Sequence, residues 1–447
     1  MGLRYIKILF FIILIITFNI SYDGIKYMNI IELITFNLQL YLILKSGLFD
    51  ITKKGTNLLT TFTNDQILIK NHRKLQKKYG KVVTTFVLKY KHHYILDSEI
   101  VKNILFDSPK LFDAGNLKKS FFDFMPLNVG ISGCNSQSNC PWKKRRIFNE
   151  NVLGTKKIND FFNYIPTIVS KSINKPLLNI SDFKDVALNM LSYTMYGLNT
   201  ENGEMLKDYV INKGDTNFLN SKLYNQYSNN LTSSYMNTPK SGLLYYANIY
   251  KNDSKNVIDD QIPHWFLPFY LLFNYIIPNL VCVILNFKDI YSKIMDELNL
   301  KTFDINSTNT YLHYCVIEHI RIFNIVNINM QRTVKKDMIY HGIKLKKGEQ
   351  LFILFSGLLR DRNIFYNPDY YIPERWIGSD KDKQDIVFGL GPQQCPSKKI
   401  TPVFYKSILV HLLKNYKYNK IEPKLTNKKL FFINPYNIKL YLQQKES

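Results

Sequence analysis

The sequence predicts a mainly α-helical fold with a minor β-sheet. Apolar residues recur at helical spacing over long stretches, as in FFNYIPTIVSKSI and DVALNMLSYTMYGL between residues 140 and 200. Alternating patterns typical of strands are short and occur at residues 77–105 and 331–355. An apolar run at residues 262–287 is long enough for a central helix. Helices therefore form most of the predicted fold.

The order of elements follows from these patterns. Residues 77–105 predict a helix end, a turn, two strands and a helix. Pro268 and Pro278 interrupt the run at residues 262–287, which favours a buried central helix over a membrane span. A helix, the short strands of residues 331–355, an irregular segment and a final helix complete the chain.

Composition excludes some classes of protein. Of 447 residues, 46% are hydrophobic, which is enough for a sizeable core and excludes a disordered chain. The net charge of +24 raises the question of nucleic-acid binding. The basic residues are spread along the chain and no nucleic-acid motif accompanies them, so we expect a lysine-rich surface and no nucleic-acid partner.

Five cysteines stand at positions 134, 140, 282, 315 and 395. The odd number and the absence of CxxC spacing argue against a disulfide framework or a zinc site. Cys134 and Cys140 could pair in an oxidising lumen, although two free thiols are favoured. Cys282 and Cys315 lie in apolar, helix-like stretches, which predicts that they belong to the core.

The N-terminus has the pattern of a membrane-targeting segment. Arg4 and Lys7 precede the apolar run at residues 8–18, no small-residue cleavage site follows, and a second apolar stretch occupies residues 28–45. We expect an uncleaved membrane anchor and linker at residues 1–48 and a globular body at residues 49–447. A cleaved signal peptide is the alternative.

The stretch FGLGPQQCPSKKI, residues 388–400, predicts a tight turn around one thiol. Gly389 and Gly391 let the backbone turn closely beside Cys395. A thiolate needs stabilisation, which backbone N–H groups or the N-terminus of a following helix beginning at Pro396 could provide. Pro402 should kink that helix or delay its start.

One thiolate cannot bind zinc alone, but it suits a metal whose other ligands come from a macrocycle, namely haem. Two alternatives remain open on these residues. A thiolate nucleophile would need a His or Asp base, and no local signature provides one. A glycine-rich turn with an incidental buried cysteine would be favoured if this stretch stood alone.

FGLGPQQC resembles the haem-binding loop of the cytochrome P450 family, FxxGxRxCxG, at Phe388, Gly391 and Cys395. Gln393 replaces the usual arginine, and Ser397 replaces the final glycine. The resemblance implies the cytochrome P450 fold and haem b as cofactor, with Cys395 as the axial thiolate ligand of its iron.

Two further segments, EHIR (318–321) and FYNPDYYIPERWIG (365–378), are similar to the family's ExxR helix and the segment that follows it. Glu318 and Arg321 lie three residues apart, which places them on one helix face. The resemblance implies that Arg375 joins them in a buried charge triad, with the carboxylate accepting hydrogen bonds from two guanidinium groups.

WKKRR (142–146) is similar to the family's WxxxR helix over the haem. The resemblance implies that Trp142 and Arg146 reach one haem propionate. It also implies that Arg332 binds a propionate. The alternative for each is surface or interface packing.

The resemblance implies a membrane-anchored haem-thiolate monooxygenase that oxidises a small apolar substrate with dioxygen and electrons from a flavoprotein reductase or other donor. Residues 264–278 would line the apolar pocket. A basic set could dock an acidic reductase: Lys143, Lys144, Arg145, Lys398 and Lys399.

The predicted central helix departs from the family pattern. Residues 262–281 contain no Asp, Glu, Ser, Thr or Gly, whereas oxygen-activating relatives usually have an acid beside a threonine there. Asn274 or Tyr270 could substitute. Two alternatives follow: an enzyme that uses or rearranges peroxides, and a catalytically silent haem-binding protein. No catalytic residue is assigned.

Overall fold

A computed structural model of the chain describes residues 65–87, 90–115, 142–154, 158–174, 180–197, 206, 238–250, 265–266, 268–324, 330–431, 433 and 437–445. Most of these residues are helical, and the strands are short. The predicted mainly α-helical fold with a minor sheet is therefore confirmed. The anchor expected at residues 1–48 and the cysteines at 134 and 140 lie outside the described residues.

The N-terminal half contains helices and the first three strands, in the predicted order over residues 77–105. Its elements are α1 (Asp65–Tyr79), β1 (Val82–Val87), β2 (Tyr90–Ile95), α2 (Ser98–Phe106), β3 (Phe112–Ala114), α3 (Trp142–Gly154), α4 (Ile158–Phe162), α5 (Ile165–Ser172), α6 (Ile180–Tyr196) and α7 (Leu243–Ile249). Asp97 caps α2, because its carboxylate accepts hydrogen bonds from the backbone N–H groups of Glu99 and Ile100 at 3.0 Å each.

The C-terminal half contains the central helix, the cysteine turn and the remaining strands. Its elements are α8 (Pro268–Asn286), α9 (Lys288–Leu298), α10 (Tyr311–Ile322), β4 (Arg332–Val334), β5 (Met338–Tyr340), β6 (Ile343–Leu345), β7 (Gln350–Ile353), α11 (Phe355–Leu359), α12 (Lys381–Asp385), α13 (Ile400–Asn415), β8 (Tyr416–Glu422) and β9 (Lys439–Gln444). Three 3₁₀ turns precede α13, at Pro373–Trp376, Ile386–Phe388 and Gly391–Gln393.

The main sheet has five strands in the order β1-β2-β7-β4-β3. β2 and β7 are parallel, and the other neighbours are antiparallel. Two further sheets have two strands each, β5-β6 and β8-β9. In the main sheet Arg332 pairs with Ala114 on one side and Leu351 on the other, so that the sheet fixes its position.

The central helix α8 is buried, as predicted. It is the one helix in the described part of the chain that is long and apolar enough to cross a membrane, with a mean hydropathy of 1.8, but 94% of that apolar stretch is buried inside the protein. Leu272–Ile276 is π-helical, and Phe269 and Phe273 pack against Phe404 of α13. Helix α8 is therefore apolar because it lies in the core.

A buried histidine connects α10 to this π-helical segment. The Nε2 atom of His319 lies 3.2 Å from the carbonyl oxygen of Ile276, so Nε2 bears the proton and donates. Nδ1 has no hydrogen-bond partner among the described residues. Burial lowers the pKa of His319 to about 3, against a smaller opposing effect of the Ile276 carbonyl. The ring is therefore neutral in the folded protein at neutral pH.

This burial predicts a pH dependence of stability. The folded-state pKa lies below the ordinary value of 6.5, so the unfolded chain binds more protons between about pH 3 and 6.5. The free energy of unfolding should fall as the pH decreases through that window, by about 1.4 kcal/mol per pH unit for one histidine. His319→Gln removes this term and keeps a side-chain N–H donor. Denaturant titrations from pH 4.5 to 7 should show a smaller slope than for the wild type.

His313→Gln provides the matched comparison. His313 lies on the same helix, contacts Gln384 at 3.2 Å, and also has its pKa lowered to about 3, mainly by burial. Its variant should flatten the curve to a similar extent. A slope in His319→Gln equal to that of the wild type would contradict the buried, neutral state of His319.

Candidate haem site

The cysteine turn is built on two glycines with left-handed backbone. Gly389 has φ +92° and Gly391 has φ +71°, both in a region that favours glycine. Between them and Cys395 the chain reverses direction, so that the Cys395 N–H donates to the Phe388 carbonyl at 2.9 Å. Phe388 itself packs against the core. The turn therefore has the geometry that the sequence predicts.

Gly391 also makes a close backbone contact with α2. A Cβ atom at this position would lie 2.4 Å from the Leu105 carbonyl oxygen and 2.8 Å from the Phe106 Cα atom. These neighbours are backbone atoms and cannot move aside as a side chain could. Glycine is therefore required here both by its φ angle and by the contact.

Hydrogen bonds from polar side chains stabilise the cysteine turn. The Gln394 amide donates to the Gly389 carbonyl at 2.9 Å and to the Asp385 carbonyl at 3.1 Å. Lys398 donates to the Asp385 carboxylate at 2.6 Å and to the Gln394 side-chain oxygen at 2.8 Å. Lys398, predicted to dock a reductase, thus already has an anionic partner and stabilises the turn.

Helix α3 contacts this turn through Arg146. Its guanidinium donates to the Gln394 carbonyl, and its Nε atom donates to Glu150 at 2.6 Å. The structure therefore brings Arg146 beside the cysteine turn. The side chain of Trp142 and those of residues 143–145 lie outside the described part of the chain.

The sulfur of Cys395 has a hydroxyl partner. The Ser397 Oγ atom lies 3.1 Å from Sγ. No backbone N–H of the described residues makes a hydrogen bond to this sulfur, which corrects the expectation that amides stabilise it. Helix α13 begins at Ile400 rather than Pro396 because Pro402, which has no N–H, lies in its first turn. The prediction that Pro402 could delay the helix is thus confirmed.

Glu318, Arg321 and Arg375 come together in one buried cluster. The Glu318 carboxylate accepts from Arg321 Nε and Nη2 at 2.9 and 2.8 Å, and from Arg375 Nε at 3.0 Å. The side chains of Glu318 and Arg321 are fully buried. Burial would raise the pKa of Glu318, but the Arg321 charge, its hydrogen bonds and Arg375 together lower it.

Two further donors to Glu318 were not foreseen from the sequence. Trp376 Nε1 donates to Oε2 at 3.0 Å, and the Ile372 backbone N–H donates to Oε1 at 2.9 Å. Trp376 stands beside Arg375 in the PERW segment. Its indole N–H, which can only donate, could have indicated a further donor to Glu318.

Arg332 is a buried cation with neutral partners. Its side chain donates to the Ser108 hydroxyl at 3.1 Å and to the Gln331 carbonyl at 3.0 Å. Burial lowers the pKa of Arg332 to about 10, and the nearby Asp113 charge opposes that shift. Ser108 follows α2, the helix whose Leu105 faces the cysteine turn. Arg332 and the turn therefore border the same end of α2.

These residues fit a haem. Neither side-chain polar atom of Gln393 has a hydrogen-bond partner among the described residues, although both atoms are buried. The Arg332 guanidinium and the Gln393 amide nitrogen are both hydrogen-bond donors of the kind that a haem propionate accepts. The described chain contains no group of three or more His, Cys, Asp or Glu side chains that could bind a metal ion. Cys282 and Cys315 are buried, as predicted, and burial raises the pKa of both thiols.

Comparison with known proteins agrees with this geometry. The sequence model of the family described as Cytochrome P450 matches residues 55–260 and 291–442. The chain is 30% identical over 105 residues to the mitochondrial cholesterol side-chain cleavage enzyme of Hypanus americanus, which is 23% of this chain and 20% of that protein. It is 28% identical over 141 residues to cytochrome P450 3A15 of Cavia porcellus, covering 29% of this chain and 28% of that protein.

A third relative is probable cytochrome P450 12b2, mitochondrial, of Drosophila melanogaster, with 31% identity over 129 residues, 26% of this chain and 24% of that protein. The matched stretches thus span between about a fifth and three tenths of the length of these relatives.

The two requirements at Gly391 can be separated by a matched pair of variants. Gly378 has a similar left-handed φ of +67° but nothing within 4 Å of an added Cβ atom. Gly378→Ala should therefore lower the free energy of unfolding by about 1–2 kcal/mol, the cost of left-handed backbone. Gly391→Ala should lower it several-fold more, and should reduce the haem bound per chain. Equal losses of stability in denaturant titrations would contradict the close contact with Leu105.

Proposed function

Because the chain belongs to the cytochrome P450 family, we propose that it binds haem through the Cys395 thiolate and acts as a haem-thiolate monooxygenase. The single observation that supports this most strongly is the turn itself. Two left-handed glycines and a backbone contact to α2 fix one thiol, and the described chain has no rival metal-binding cluster.

In this proposal each residue near the turn has a separate task. Cys395 would hold the iron through its thiolate, and Arg332 and Gln393, together with Arg146 and Trp142, would hold the propionates. Phe388 and Gly391 shape the turn. Arg146 positions the turn through the Gln394 carbonyl. Bound haem b supplies an iron whose reactivity with oxygen or peroxide depends on electron donation from the thiolate.

We propose a small apolar organic substrate, with electrons delivered by a flavoprotein reductase or another donor. Helix α8 supports an apolar partner, since its side chains are almost all hydrophobic. Within the predicted pocket segment at 264–278, Trp265 donates to Asn149 at 2.7 Å, and Phe269 and Phe273 contact Phe404. We propose that this segment lines the apolar pocket.

A peroxide-dependent reaction is the second candidate, and α8 favours it. Residues 268–286 contain no Asp, Glu, Ser, Thr or Gly. Asn274, in the π-helical segment, donates to the Tyr270 hydroxyl at 3.1 Å, and its own side-chain oxygen has no partner among the described residues. A peroxide already contains the two reduced oxygen atoms, so less proton delivery is required than with dioxygen.

We also propose that residues 1–48 anchor the protein in a membrane and that residues 49–447 form the haem-binding body. The charged and apolar pattern of the N-terminus supports the anchor. Full-length protein should remain in the membrane pellet after alkaline extraction, and a chain that begins at residue 49 should be released. Equal release of both would contradict the anchor.

The carbon-monoxide difference spectrum of the reduced protein tests the ligand. The wild type should show the band typical of a haem-thiolate protein, and Cys395→Ala should lose it, because the sulfur ligand is removed. Cys282→Ala is the matched control, since its buried thiol is 3.9 Å from the Pro423 carbonyl and belongs to the core. A thiolate band in Cys395→Ala, or none in the wild type, would overturn the proposed function.

Turnover under two conditions separates the candidate reactions. The monooxygenase predicts product from an apolar substrate with reductase and dioxygen. The peroxide-dependent enzyme predicts product with a lipid hydroperoxide and none with reductase and dioxygen, because α8 lacks the acid and threonine. A thiolate spectrum without turnover under either condition would identify a silent haem-binding protein.

A further inference from the structure

Ser397 and Thr401 form a short hydrogen-bond chain that ends at the cysteine sulfur. The Thr401 hydroxyl donates to the Ser397 Oγ atom at 3.3 Å, and Ser397 Oγ lies 3.1 Å from Cys395 Sγ. The Thr401 N–H also donates to the Ser397 carbonyl at 2.9 Å, which fixes the two residues relative to each other.

The direction of this chain follows from the chemistry of its groups. A thiolate has no proton, so Sγ can only accept, and the Ser397 hydroxyl must donate to it. The hydroxyl of Thr401 occupies a lone pair of Ser397 Oγ. The Ser397 proton is then directed toward the sulfur, and the two hydrogen bonds strengthen each other.

We propose that Ser397 is a positioning residue that acts on the haem iron through its ligand: its hydroxyl donates to the Cys395 thiolate and raises the reduction potential of the bound haem, while Thr401 orients that hydroxyl. The inference rests on the proposed function, because it requires Cys395 to bind the iron.

The physical reason is the change of charge on reduction. The ferric iron gains one electron from the reductant and becomes ferrous, and no bond is broken. Part of the added negative charge resides on the sulfur, so a donor to that sulfur stabilises the ferrous state more than the ferric state. A neutral hydroxyl is enough to change the potential, because hydrogen bonds to the ligands of a metal alter how strongly those ligands donate to it.

This feature departs from the family pattern. The pattern FxxGxRxCxG has a glycine at the position of Ser397, and glycine has no hydroxyl. Within the described residues the sulfur accepts no backbone N–H hydrogen bond, so the Ser397 hydroxyl is its donor there. Removing that group should therefore have a measurable effect on the iron.

The test uses the full-length haem-loaded protein and four variants. Ser397→Ala and Ser397→Gly remove the hydroxyl, Ser397→Thr retains one, and Thr401→Val removes the orienting donor. The control is Ser407→Ala, on the same helix α13, because the buried Ser407 hydroxyl has no partner among the described residues. The readouts are the midpoint potential of the ferric/ferrous couple and the iron–sulfur stretching frequency from resonance Raman spectroscopy.

Loss of the hydroxyl should lower the midpoint potential. At a fixed applied potential the ferric-to-ferrous ratio should rise about tenfold in Ser397→Ala and Ser397→Gly, which is about 59 mV for a one-electron couple. The stretching frequency should rise, since the thiolate then donates more strongly to iron. Thr401→Val should shift both readouts in the same direction by less, and Ser397→Thr and Ser407→Ala should match the wild type.

Unchanged potential and stretching frequency in Ser397→Ala, with the thiolate spectrum intact, would overturn this inference and leave the proposed function standing. If Ser397→Ala does not fold, Thr401→Val decides the matter, because it keeps Ser397 and must still shift both readouts. A wild-type protein without a thiolate spectrum would overturn the proposed function, and the inference with it.

Discussion

The buried Glu318 carboxylate fixes the segment that leads to the cysteine turn. It accepts hydrogen bonds from Arg321 on its own helix and from Ile372, Arg375 and Trp376 on the chain that precedes the turn. Losing one partner of a buried ion pair costs about 3–5 kcal/mol, because the remaining charge is left uncompensated. Helix α10 and the 3₁₀ turn at Pro373–Trp376 therefore cannot separate without a large loss of stability.

Two buried arginines, Arg321 and Arg332, differ in the charge of their hydrogen-bond partners. Arg321 has an anionic partner in Glu318 and carbonyl partners in Leu359 and Pro368, so its donors are satisfied within the protein. Arg332 is equally buried but contacts a hydroxyl and a carbonyl, and burial lowers its pKa. Among the described residues only the Asp113 charge opposes that shift, and no carboxylate accepts a hydrogen bond from Arg332 in the bonds described above, which is why we propose that a propionate binds there.

The fold class and the residues of the cysteine turn could be predicted from the sequence. The distant residues that form hydrogen bonds with the site residues could not. Periodicity identified the helices and the buried α8, and the glycines at 389 and 391 identified the turn. The spacing of Glu318 and Arg321 places them on one helix face but cannot show which distant segment packs there. Trp376 was missed for this reason, since its bond to Glu318 joins residues 58 positions apart.

The mistaken expectation of an amide-stabilised sulfur has a physical cause, which involves Pro402 and Ser397. Pro402 lacks an N–H and is tolerated in the first turn of a helix, so α13 begins at Ile400, and residues 396–399 form turns instead of helix. The helix N-terminus is thereby displaced along the chain from Cys395. The Ser397 hydroxyl lies 3.1 Å from the sulfur, where we propose that it donates in place of the amides. A glycine at 397 combined with Pro402 would leave the sulfur without a donor among the described residues.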